Sequence, residues 1–94
     1  MEYSRTNIFI DDKYDFSMPS LYSELDVLAG SFHQNNDNPD RKEFHYFLGD
    51  SSVVVLEYKK KANIKVIALN DVSLSNTKSK IEKILEDTRP KQVI

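Results

Sequence analysis

The chain has 94 residues, with no cysteine, no tryptophan, two glycines and three prolines; 39% of it is hydrophobic and 30% charged. Those proportions fit one small soluble domain with a modest core, since a chain of this size buries about 60–65% of its unfolded surface. Without cysteine there is no disulfide framework, thiolate zinc site, iron–sulfur cluster or cysteine nucleophile. Thirteen basic against fifteen acidic residues give a net charge of −2, which argues against broad phosphate binding. The charge is uneven: residues 1–42 hold eight acids and four bases, net −4, while residues 43–94 hold seven acids and nine bases, net +2.

The first five residues lack a basic stretch followed by an apolar one, so no secretory address is read and a cytoplasmic setting is expected. Purely apolar runs such as residues 53–56 fall far short of the roughly 18 residues a transmembrane helix needs. Residues 3–10 end in Ile8-Phe9-Ile10, where two isoleucines alternate around an aromatic as on a pleated strand, and predict a first strand. After the mixed stretch Asp11-Asp12-Lys13-Tyr14-Asp15-Phe16, Ser17 offers a cap hydroxyl and Pro19 a residue tolerated in a first helical turn. A helix therefore starts at Met18. Leu21, Leu25, Leu28 and Phe32 form one apolar stripe, flanked by Tyr22 and Ala29, that carries this helix over about 18–33. Gly30 weakens its end, and the Asn/Asp-rich residues 34–42, with Pro39 among them, predict an exposed, mobile loop.

Phe44, Tyr46 and Leu48 then share one face of a strand, with His45 and Phe47 on the other. Gly49-Asp50-Ser51-Ser52 reads as a turn, residues 53–58 as the strongest strand, and Lys59-Lys60-Lys61-Ala62-Asn63 as the short connection to a strand over 64–69. Residues 43–70 thus predict an antiparallel three-stranded meander. Because residues 53–56 and 66–69 are apolar without interruption, the middle of this sheet is expected to be covered on both faces, by helices or by a partner. A homodimer burying one face satisfies that need. Asn70, Asp71, Ser73 and Ser75 are cap candidates for a second helix over about 75–88, with Leu74, Ile81, Ile84 and Leu85 on its apolar side and Lys78 four residues before Glu82 on its polar side. Pro90 ends it and leaves a tail over 90–94. The predicted architecture is a single α+β domain over 1–94 in the order β-α-β-β-β-α.

Three constellations invite a chemical reading. Asp11, Asp12, Tyr14, Asp15, Phe16 and Tyr22 combine aromatics with an acidic rim, the composition of a protein-binding patch. Packing of Phe16 against the first helix below solvated carboxylates is the plainer explanation. The acids lack the glycine and bidentate glutamate of a calcium-binding loop. Tyr58, Lys59, Lys60, Lys61 and Lys65 make a basic hairpin with an adjoining aromatic, suited to phosphate contact and base stacking. Lysines on an exposed turn also serve solubility and edge protection, and the chain has only Arg5, Arg41 and Arg89 for bidentate base recognition. His33 and His45, with Asp37 and Asp40 between them, offer acid–base or metal chemistry, but at a spacing that matches no ligand motif.

No phosphate-cradling glycine motif and no nucleophile elbow is present. The reading that fits these absences is a non-enzymatic protein-binding domain of inhibitor, immunity, antitoxin or phage- or plasmid-encoded accessory type, with no catalytic residue, metal or cofactor assigned. The first alternative is a nucleic-acid-binding or regulatory module acting through the lysine hairpin. The second is a small metal- or ligand-dependent enzyme using His33 and His45.

Overall fold

In the computed structural model, which describes residues 3–12, 16–35 and 39–88, the elements follow the order β1 (Ser4–Ile10), α1 (Met18–Leu28), β2 (Ser31–Asn35), β3 (Lys42–Phe47), β4 (Ser51–Glu57), β5 (Ala62–Ala68) and α2 (Asp71–Thr88). The strands form one antiparallel sheet in the order β1-β5-β4-β3-β2, with β4 at its centre. The α+β class, the two helices and the meander of β3, β4 and β5 agree with the sequence reading. Short closures hold the meander: Leu48 donates to the Ser51 carbonyl at 2.9 Å across a turn in which Gly49 takes a φ of 77°, and Tyr58 donates to the Lys61 carbonyl at 2.8 Å. A side chain at Gly49 would be forced into the left-handed region that glycine enters without a steric penalty.

Several boundaries differ from expectation: Ser51 and Ser52, expected in the turn, open β4, and Ala62 and Asn63, expected in the connection, open β5, because both pairs carry on the antiparallel ladder between these strands. The first helix stops at Leu28 rather than continuing to residue 33, because Ala29 is extended and Gly30 donates to the Phe47 carbonyl at 2.8 Å, drawing the chain onto the edge of β3. Residues 31–35 then pair with β3 as a fifth strand, with Phe32 in register with Tyr46. Leu28 is 39% exposed, so the helical stripe ends in fact at Leu25. An edge with unpaired backbone groups outweighs helix propensity in so short a segment. The loop expected over 34–42 shortens accordingly, since Gln34 and Asn35 belong to β2 and Lys42 to β3. The second helix begins one turn earlier than residue 75, because the Asn70 side chain accepts from the Ser73 amide at 2.8 Å and its carbonyl accepts from Leu74. The tail over 90–94 lies outside the described residues.

Both helices pack on the same face of the sheet. The buried cluster joins Leu21 and Leu25 of α1 and Ile81, Ile84 and Leu85 of α2 to Ile10, Ile64, Val66, Val53, Val55, Phe44 and Tyr46, which alternation along the strands places on one face. A buried hydrogen bond of 2.8 Å between Ser51 and Thr77 ties β4 to α2. The opposite face has no helix over it among the described residues, so the two helices cover the sheet on one side.

Ile64 is fully buried between its cross-strand neighbours Ile8 and Val55. Ile64→Ala is expected to destabilise the fold by about 3 kcal/mol, through lost transfer energy and an unfilled cavity. Val27→Ala, at a position 83% exposed, is expected to cost under about 0.5 kcal/mol. Denaturant unfolding followed by circular dichroism measures both; equal losses would contradict this placement of the core.

Candidate binding surface

Strand alternation and register define the face opposite the helices as three rows. Phe9, Asn63, Leu56 and Glu43 stand abreast in the first, Asn7, Lys65, Val54 and His45 in the second, and Arg5, Ile67, Ser52 and Phe47 in the third. Phe9 is 69% and Phe47 44% exposed. Leu56 is buried at 4% exposure yet stands apart from the core cluster, as a residue of the outer face would. Glu43 and His45 sit two residues apart on β3, with Oε1 3.3 Å from Nε2.

The pairing of β1 with β5 brings two of the sequence-nominated patches together. Ile10 is opposite Ala62, so Asp11 and Asp12 leave the sheet beside the end of the lysine turn. Phe9, Asp11, Tyr58, Lys61 and Asn63 line a cleft of about 210 Å³ at this corner, together with Ile10 and Ala62. Lys61 Nζ lies 5.7 Å from the centre of the Tyr58 ring, a cation–π contact. The Asn63 Oδ1 is buried and accepts no hydrogen bond. A second cleft of about 290 Å³ adjoins Phe9 and is lined by Phe16, Leu85, Glu82 and Glu86 among others. Phe9 therefore lies between two concavities, each edged by carboxylates.

Of the acidic and aromatic residues nominated from sequence, Asp11 and Asp12 are exposed, Phe16 is half-buried against the core, and Tyr14 and Asp15 lie outside the described residues. Tyr22 serves the interior. Its ring centre is 4.3 Å from that of Phe44, and its hydroxyl donates to Glu57. Lys59, Lys60 and Lys61 are exposed at the turn, whereas Lys65 stands in the middle of the outer face rather than at the hairpin tip. His33 is in register with His45 across β2 and β3, and Asp37 lies outside the described residues while Asp40 is exposed. Among the described residues no three His, Asp or Glu converge on a point where they would hold a metal. Phe9, Phe47 and Asn63 were not nominated, although the period-2 pattern already set Phe9 opposite Ile8 and Ile10. Among the described residues no helix is long and apolar enough to cross a membrane.

Compared with known proteins, the chain matches no family model, no curated protein and no solved structure.

Two tyrosines beneath this surface titrate above their ordinary range. Burial raises the Tyr22 hydroxyl, and acceptance of its proton by Glu57 raises it further. Tyr46 is pushed up to about 12 by burial, with the Asp26 carboxylate adding to it. A folded-state pKa above the unfolded value of about 10 contributes stability that is present below pH 10 and lost as pH rises through the folded value. The unfolding midpoint is therefore expected to fall above about pH 10, and to fall less steeply in Tyr22→Phe. At neutral pH, Tyr22→Phe is expected to cost about 1 kcal/mol for the lost Glu57 bond. Unfolding of both proteins between pH 8 and pH 11.5 measures this, and identical alkaline slopes would contradict it.

Proposed function

We propose that the protein is a non-enzymatic protein-binding domain of inhibitor, immunity, antitoxin or accessory type, acting in the cytoplasm and engaging its partner around Phe9. The observation that carries the reading is an aromatic ring 69% exposed on an edge strand between two clefts. Large aromatics set in concave, rimmed surfaces are the usual anchors of protein interfaces. Asp11, Glu82 and Glu86 on the cleft rims favour a partner that presents an apolar side chain flanked by lysine or arginine.

The same geometry weighs against nucleic acid. Asp11 and Asp12 stand beside the lysine turn and lower the positive potential that phosphates require. Lys65, the remaining base of that patch, is displaced onto the sheet face.

Affinity capture from the native host, repeated with variants, tests the proposal. Wild type is expected to retain one protein stoichiometrically, with retention falling about tenfold or more in Phe9→Ser and in Asp11→Lys and little changed in Lys60→Glu. Phe9 and Asp11 are exposed, so both variants should melt like wild type. Equal retention by all variants would overturn the reading. So would recovery of nucleic acid whose binding falls steeply with salt and disappears when Lys59, Lys60 and Lys61 are neutralised.

A further inference from the structure

We infer that the partner engaged around Phe9 docks by adding a strand to the free edge of β1, as an extended segment of another protein that carries an apolar side chain between two basic ones. This mode of docking presupposes a partner at Phe9 and gives the form in which it binds.

β1 closes one end of the sheet. Seven consecutive residues pair with β5, and among the described residues no strand pairs with its other side. The strand has no proline, bulge or inward-facing charge, the devices that usually blunt an edge. Turn closures fix which way its backbone groups face. Leu69 donates to the Asp50 carbonyl and Tyr58 to the Lys61 carbonyl, so residues 61, 63, 65, 67 and 69 turn their amides and carbonyls toward β4, and residues 62, 64, 66 and 68 turn theirs toward β1. In register with the latter, Ser4, Thr6, Ile8 and Ile10 face β5. Arg5, Asn7 and Phe9, all exposed, therefore aim their amides and carbonyls at the free edge, a ladder open to a further strand.

The cleft of about 290 Å³ lies along this edge. Ile8, Phe9 and Ile10 all line it, and consecutive side chains point to opposite faces, so a cavity touching all three runs beside the strand rather than over one face. A strand added there turns the residue opposite Ile8 toward the helices, where Phe16 and Leu85 form apolar walls. Glu82 and Glu86 are exposed at the rim and call for lysine or arginine two positions before and after that residue, on the same side of the added strand. A second copy of β1 does not supply them. Joined through the same outward backbone groups, it would bring only Ser4, Thr6, Ile8 and Ile10 to the helix side, with Arg5 on the outer face. Charge complementarity thus selects a segment of another protein.

The probe is a synthetic peptide, Thr-Lys-Thr-Ile-Thr-Lys-Thr, which sets isoleucine between two lysines on one side whichever way it runs. Amide hydrogen exchange followed by NMR on the whole chain reads its binding. In the free protein the amides of Arg5, Asn7 and Phe9 are expected to exchange fast and those of Thr6 and Ile8 slowly. With about 5 mM peptide the three fast amides are expected to slow severalfold, with a dissociation constant on the order of 1 mM for a single unassisted strand. Replacing the isoleucine by serine, or both lysines by glutamate, is expected to weaken binding at least about fivefold. Asn7→Pro removes an outward N–H and spares the ladder to β5, so it is expected to melt like wild type and bind the peptide at least about tenfold more weakly, while Asn7→Ser binds it normally. No slowing of these amides by the peptide overturns the inference, as does equal binding of the serine and glutamate peptides. Slowing that grows with protein concentration in the absence of peptide makes a second copy the occupant and overturns it too. A host protein whose retention falls in Phe9→Ser but not in Asn7→Pro leaves the partner at Phe9 in place and overturns strand addition. Peptide binding without any retained host protein supports strand addition and overturns the partner at Phe9.

Discussion

The structure depends on one constraint: a central strand that is apolar on consecutive residues, against two helices that reach only one side of it. Val53 and Val55 turn inward and are fully buried, while Val54 and Leu56 turn the other way. Period-2 alternation makes that division unavoidable. α1 and α2 share the inner face, where Leu21, Leu25, Ile81, Ile84 and Leu85 join one buried cluster with the inward residues of the strands. The result is a two-layer fold with a single dry core and an outer face left to solvent or to another surface.

Polar groups between the layers act as positioning contacts. Tyr22 lies over Phe44 and reaches Glu57, which fixes α1 against the sheet at a point where few other contacts join them. Ser51 and Thr77 do the same for α2 and β4. Each satisfies a group whose burial without a partner would cost more than the bond itself contributes.

Function-bearing features collect where the chain's two charge regimes meet. In sequence, the acidic first half and the lysine turn are some fifty residues apart. Pairing of Ile10 with Ala62 sets them side by side at one corner, around a ring that neither patch contains. Neighbouring opposite charges cancel at long range and become specific at short range, which suits recognition of a shaped protein surface better than attraction of a phosphate chain. Away from that corner the outer face is different in kind, a mixed field of Val54, Ile67 and Phe47 around one lysine and one carboxylate.

Much of this was legible before folding. Alternation in residues 8–10 and 43–48, the cap at Ser17 and the heptad-like spacing of Ile81, Ile84 and Leu85 determined the elements, because they express local steric and hydrogen-bonding rules that hold wherever the segment lies. The consecutive apolar residues of β4 also announced that one side of the sheet would want cover. What the sequence left undecided was everything set by competition or by long-range pairing. Residues 31–33 continue a helical stripe through Phe32 and residues 34 and 35 read as loop, yet all five become a strand, since the edge of β3 offers them backbone partners that a lengthened α1 could not. Tyr22 looks like a surface aromatic and is an interior one, because Glu57, thirty-five residues away, comes within reach of its hydroxyl. Phe9 lies between its two clefts, and Lys65 lies across β4 from His45, only through strand order, a property of pairing between distant segments that no local pattern contains.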